Sequence, residues 1–360
     1  MFALSLKELT FYKLRYLLIC FVLFFTSFLV YVISGLANGL SDDNASAVLG
    51  MNGEEFYIQK DADNRIDRSR IEKSTVDHYN SFNVQPLGIQ MGSLIDQSTN
   101  KKVDISFMAV DSKHFLMPSI VEGKNLTNEL SIVADSSLKD EGVKIGDSLF
   151  EETSELTFRI VGFTDNATFS HTPVTFISLK DWEKLTEKNG KVFYNGLVLK
   201  NKDPKIEKQV KEMIADGHWL PKEEIVNGIP GHEAEQSSLF MMLIFLIIIT
   251  AFVLVAFFYI ITIQKMNQFG ILKAMGTKTS YLAGVTVIQV FTLSVVSIGA
   301  SIGFTWVMRR VLPSDIPFTF DLPLILQYSA ILLAVSIVGS LFSIVNISKA
   351  DPIQAMGRVQ

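Results

Sequence analysis

The sequence of 360 residues holds a single cysteine, Cys20, so no intramolecular disulfide can brace the chain. Its net charge is only −5 and no basic stripe is present, which argues against nucleic acid as a partner. There is no G-x-x-x-x-G-K-[ST] loop to hold a nucleotide, no nucleophile elbow and no His-Glu-x-x-His. Isolated Ser, His and Asp residues suggest no triad, so catalysis by the chain itself is not expected. His78, His114, His171 and His218 are scattered, without metal-ligand spacing. The most informative absence is local. Four runs, at 16–41, 236–264, 279–308 and 322–348, contain no Asp, Glu, Lys, Arg or His.

What fills those runs is apolar, and each is longer than the about 20 residues that cross about 30 Å of hydrocarbon. The sequence therefore predicts four transmembrane helices, one before and three after a polar insertion. Ion-coupled transporters place ionisable groups at mid-membrane because the ion needs a ligand there. With none present, energy for transport has to come from another subunit.

Residues 1–15 set Phe2, Leu6, Leu9, Tyr12 and Tyr16 on one helical face, which predicts a short interfacial helix lying on the lipid of the inner leaflet. The polar stretch 42–235 alternates like an α+β domain. EFYIQK, VDISFMAV, LTFRIVGF, PVTFISL and NGLVLK read as strands, and SLKDWEKLTEK and DPKIEKQVKEMIADG as helices. Between the membrane runs lie 265–278, 309–321 and the tail 349–360. Basic residues decide the orientation. Lys7, Lys13, Arg15, Lys265, Lys273, Lys278, Lys349 and Arg358 flank one side, against only Arg309 and Arg310 in the short loop on the other. Both termini are thus expected in the cytoplasm, with the large domain outside the cell membrane.

Several segments carry a family resemblance. FGILKAMGTKTSYL, after the second apolar run, resembles the cytoplasmic coupling segment of FtsX/MacB-type ABC transporter permeases, and the terminal ADPIQAM resembles their Asp-Pro element. GVKIGDSLFEETSELTFRIVGFTDNATF followed by VTFISLKDWEKL is similar to the pattern of their outer domain. A narrower resemblance, to haem-exporting HrtB-type permeases, rests on KELTFYKLRYLLI and on SGLANGLSDDNASAVLGMNGEEFYIQKDADNRIDRS. The wider resemblance covers essentially the whole chain. The narrower one implies a homodimer, two cytoplasmic ABC ATPase subunits that bind the ATP, haem as substrate, and no permanently bound cofactor.

Within that frame, Met266, Phe269, Leu272 and Met275 recur every three residues and form a stripe that an ATPase groove could seat. Lys265 and Lys273 would face phosphates or acidic rims, and Gly276 closes the segment. The plainer alternative is a turn whose lysines only anchor topology. Haem iron takes His, Cys, Met or Tyr, and its macrocycle stacks on aromatics. The candidates nearest the outer border are Met51, Glu54, Phe56, Tyr57, His232 and Glu233, with Phe115 as a possible wall. Strand packing competes for Phe56 and Tyr57, a loop position for His232, and solvation for the glutamates. Two other readings stay open: an FtsX-like mechanotransmitter acting on an outer partner, or an exporter of a peptide, antibiotic or lipoprotein.

Overall fold

The computed structural model describes residues 11, 13–76, 83–126, 129–188, 190–313 and 316–348. The interfacial helix expected at 1–15 lies almost wholly outside them, as does the tail 349–360. The chain divides into a helical unit (1–39 and 237–360) and an outer unit (40–236).

In the helical unit, helix α1 (Lys13–Leu49) runs 37 residues, so Lys13 and Leu14 continue into the apolar helix as one element. Its segment Tyr16–Leu49 is one of four described spans long and apolar enough to cross a membrane. The others lie on α6 (His232–Gln264), α8 (Thr279–Arg309) and α9 (Leu322–Ser348). Glycine lets α1 approach its neighbour closely. A Cβ at Gly39 would stand 2.1 Å from the carbonyl oxygen of Pro317, and one at Gly35 would stand 2.4 Å from the Phe318 ring. Thr319 N donates to Gly35 O at 3.0 Å across the same contact.

α1 was expected to end at Ser41, before Asp42 and Asp43. It continues to Leu49 because Ala45, Ala47 and Val48 are buried in the core of the outer unit. α6 likewise begins at His232, four residues before the uncharged run. Gly231, at φ +84, sets the turn before it, and Glu233 and Glu235 suit a helix N-terminus.

The outer unit is built on an eleven-stranded sheet. Its strands include β1 (Glu55–Gln59), β3 (Val84–Asp96), β4 (Lys102–Val110), β6 (Ser131–Asp135), β8 (Leu156–Thr164), β9 (Thr168–Phe169), β10 (Thr172–Ser178), β12 (Gly196–Leu199) and β13 (Gly217–Pro221). β3 and β4 form an antiparallel ladder from Gly88↔Ala109 to Ile95↔Lys102, while β10 runs parallel to β4. Successive strand residues point to opposite faces, and both faces are covered. Phe56, Ile58, Met108 and Phe176 enter one core; Tyr57, Phe107, Phe158 and Ile177 enter the other. Helix α3 (Leu179–Thr186) sends Trp182 into the second core and is capped by Ser178, which accepts from Asp181 N. The Asp-Pro start of α4 (Pro204–Met213) places Asp203 as N-cap and Pro204 in the first turn.

Candidate functional site

Two places in the outer unit stand out, and the first brings together residues singled out by the sequence. The first is a cavity of about 590 Å³ beside the end of α1. Ser46, Ala47, Gly50 and Met51 line one side; Phe115, Met117, Asp165, Asn166 and Phe176 line the rest. The volume lies within the about 300–1,000 Å³ usual for small-molecule sites. Met51 and Phe115, far apart in sequence, are thus brought to one cavity. The loop that positions Met51 is tied down by Lys222, whose Nζ donates to the carbonyls of Met51 (2.6 Å) and Leu49 (3.2 Å). A cation there answers the exposed carbonyls of a helix C-terminus. Burial depresses the Lys222 ammonium below the ordinary lysine value.

The second place is a charged cluster. Asp43 and Asn44 come from α1, His171 from the turn between β9 and β10, and Glu235 from α6. His171 Nδ1 lies 2.6 Å from Asp43 Oδ2, and its Nε2 lies 3.2 Å from both carboxylate oxygens of Glu235. Asn44 Nδ2 stands 3.2 Å from the same Nε2. Burial works against the charged ring, but the bonds to Asp43 and Glu235 outweigh it and hold the imidazole above its ordinary pKa. His232 is buried at the start of α6, and its Nδ1 has no hydrogen-bond partner among the described residues.

The remaining candidates part from these places. Phe56 and Tyr57 were expected near the outer membrane face, but both are fully buried, on opposite sides of the sheet. The Tyr57 hydroxyl donates to the Ile214 carbonyl, and the ring meets Trp219 edge-on at 5.1 Å. It is a core residue, closed to an iron ligand's role. Glu54 is exposed and its carboxylate accepts from Lys202 N at 3.0 Å; Glu233 is exposed on the first turn of α6. Asp43, Asn44 and His171 were missed as a group. Their separation in sequence leaves no local spacing to read.

In the helical unit, the coupling segment forms helix α7 (Met266–Ala274), closed by a left-handed turn at Gly276 (φ +91). Gly276 N donates to Lys273 O and Thr277 N to Leu272 O, the Schellman pattern. The stripe expected to meet an ATPase largely faces inward. Phe269 is buried with Leu282, and Met266 and Leu272 pack against that pair; Met275 is exposed, as is Ile271 on another face of the helix. Lys265 is also turned in: it is 5% exposed, and its Nζ donates to the Tyr16 hydroxyl at 2.7 Å. An apolar residue at a helix joint gains more by packing on its own unit than by waiting for a partner, and period three alone does not say which face is inside.

Residues 240–352 match the family described as FtsX-like permease C-terminal. A Staphylococcus epidermidis protein named hemin transport system permease protein HrtB is 29% identical over 354 residues, covering 98% of this chain and 99% of that protein. The Staphylococcus haemolyticus protein of the same name is 27% identical over 357 residues, covering 99% of each. Among solved structures, the extracellular domain of the noncanonic ABC-type transporter YknZ from Gram-positive bacteria covers 47% of this chain and 98% of its own. Its identity is 9% and its TM-score 0.34, too slight to bear on fold or function. Residues 240–352 thus carry an FtsX-like permease C-terminal domain, and over nearly its whole length the chain is similar to permeases named for hemin transport.

Proposed function

We propose that this protein is the permease of an ABC exporter that removes haem from the cell membrane. The observation that carries the reading is the full-length similarity to permeases named for hemin transport. On this reading a homodimer of the chain binds two cytoplasmic ATPase subunits. Both termini lie in the cytoplasm, one helix precedes and three follow an extracytoplasmic α+β domain, and the lipid of the inner leaflet carries the N-terminal segment. ATP is bound by the partner, and the free energy of its hydrolysis enters at α7.

The chain's part is to hold the cargo in one state and lose affinity for it in another. Haem is flat and apolar with two carboxylates. A cavity with Met51, Met117, Phe115 and Phe176 on its walls offers thioethers for iron and rings for the macrocycle. His232, buried yet with one ring nitrogen unpartnered, remains a second candidate ligand. An FtsX-like mechanotransmitter would instead need a contiguous apolar docking patch on the outer unit. Among the described residues its large exposed hydrophobics there are Leu49, Met91, Val121, Ile145 and Met213, drawn from five separate segments of the chain.

The test is haemin titration of the purified permease in detergent, followed by its Soret band, with Phe115→Ala, Met51→Ala and His232→Ala beside the parent. The reading predicts a saturable shift in the parent that weakens in at least one variant. Unsaturable partition, identical in all four, would remove haem as the cargo and leave the mechanotransmitter in front.

A further inference from the structure

The two long helices that enter and leave the outer unit meet one side chain there. Asp43, near the end of α1, and Glu235, on the first turn of α6, stand on opposite nitrogens of His171. Carboxylates stand at both Nδ1 and Nε2, and only the imidazolium has two protons to give them; the Asn44 amide beside Nε2 has Glu235 Oε2 at 3.5 Å to take its own N–H. The backbone supports this arrangement at some conformational cost. Ser170 and His171 occupy the left-handed region consecutively, at φ 51 and φ 61, which non-glycine residues adopt rarely.

The turn that carries them is fastened to α1 independently of the ring. Ser170 N donates to Asn44 O at 2.8 Å, and Thr168 N donates to Ser46 Oγ at 2.8 Å. The same turn continues directly into β10, which pairs with β4 and β6 in the middle of the sheet. α6 has a different attachment to this turn: Glu235, held through the imidazole.

We propose that His171 is a charge clasp: as an imidazolium it ties the start of α6 to the end of α1 and to the β9–β10 turn, and when it loses its proton the tie to α6 opens. The groups that face the ring are Asp43 and Asn44 from α1 and Glu235 from α6, with His232 nearby on the same helix. The sign follows from the ring's raised pKa. The clasp is fully present below the ordinary histidine value and is lost as pH rises through the higher folded value. Through this residue a displacement of either helix reaches the central strands. That makes His171 a positioning residue of the permease, whatever its cargo.

The experiment needs neither haem nor ATPase, so its failure is separate from failure of the haem reading. Amide hydrogen exchange is measured on the full-length permease in lipid nanodiscs between pH 6 and 9 (about three units around the histidine range), corrected for intrinsic rates. Exchange across 232–236 in the parent should rise about tenfold over that range. In His171→Gln it should be fast throughout and lose this pH dependence, while Asp43→Asn and Glu235→Gln move the transition to lower pH. If parent and His171→Gln share one pH profile, the clasp does not exist. Should His171→Gln fail to fold, NMR of ring-labelled histidines in the parent, Asp43→Asn and Glu235→Gln decides instead. A parent with no histidine titrating above the ordinary value would overturn the proposal.

Discussion

The outer unit and the helical unit differ in where their buried polar groups find partners. In the outer unit, some buried polar side chains bind distant backbone, while Asp96 and Glu151 accept from their own turns. Asn195 accepts from Ile89 N and donates to the carbonyls of Asp67 and Ser69. Asp135 accepts from Ala167 N, and Trp182 Nε1 donates to Phe193 O. In the helices, hydroxyls mostly answer their own turn: Thr250 to Leu246 O, Thr292 to Ile288 O, Thr305 to Ser301 O and Ser336 to Leu332 O. Bonds between helices include Tyr31–Ser329 at 2.6 Å and Lys265–Tyr16. A helix that satisfies itself can slide against its neighbours while keeping its hydrogen bonds; a sheet tied by distant bonds cannot. The contrast assigns motion to the helices and shape-keeping to the outer unit.

The same substitution should therefore weigh differently in the two regions. Phe158→Ala removes a fully buried ring that lies 5.5 Å from Phe107, and should cost the outer unit about 3–5 kcal/mol, read as loss of its unfolding transition. Gly39→Val drives a branched side chain into the Pro317 carbonyl. It should cost about 1–3 kcal/mol, seen as a lowered melting temperature in detergent. Lys265→Met removes the Nζ donor that meets the Tyr16 hydroxyl at the joint of α6 and α7. About 1–2 kcal/mol of stability should go, with a fall in haem exported per ATP hydrolysed relative to Lys273→Met. Phe25→Ala, at a ring 57% exposed on α1, should stay within about 0.5 kcal/mol of the parent. If Phe25→Ala proves as damaging as Phe158→Ala, that face of α1 is covered by another chain and the contrast between the regions narrows.

Much of this architecture was legible in the sequence where a local signal sufficed. Uncharged runs marked the long helices, Asp203-Pro204 marked the start of α4, and alternation in EFYIQK marked β1. Alternation does not say whether one face or both will be covered, so Tyr57 could be read as a ligand when it is core. The acidic pair after Ser41 read as the end of a helix. Only distant residues, the core around Ala45 and Val48 and the imidazole of His171, explain why α1 continues. The stripe in α7 was seen but its direction was not, because the packing of Phe269 on Leu282 joins two segments that no single period connects. Met51 and Phe115 were named separately; the cavity they share comes from the fold.

The central claim is that ATP hydrolysed by a partner drives haem out of the membrane through this permease. It is tested most directly by haem transfer from haem-loaded proteoliposomes, holding permease and ATPase, to albumin in solution. With ATP placed on the ATPase side, the account predicts transfer well above the passive rate. Transfer should return to that rate when ATP is withheld or when the ATPase subunit is left out. Equal rates with and without ATP, in vesicles whose ATPase is active, would contradict it.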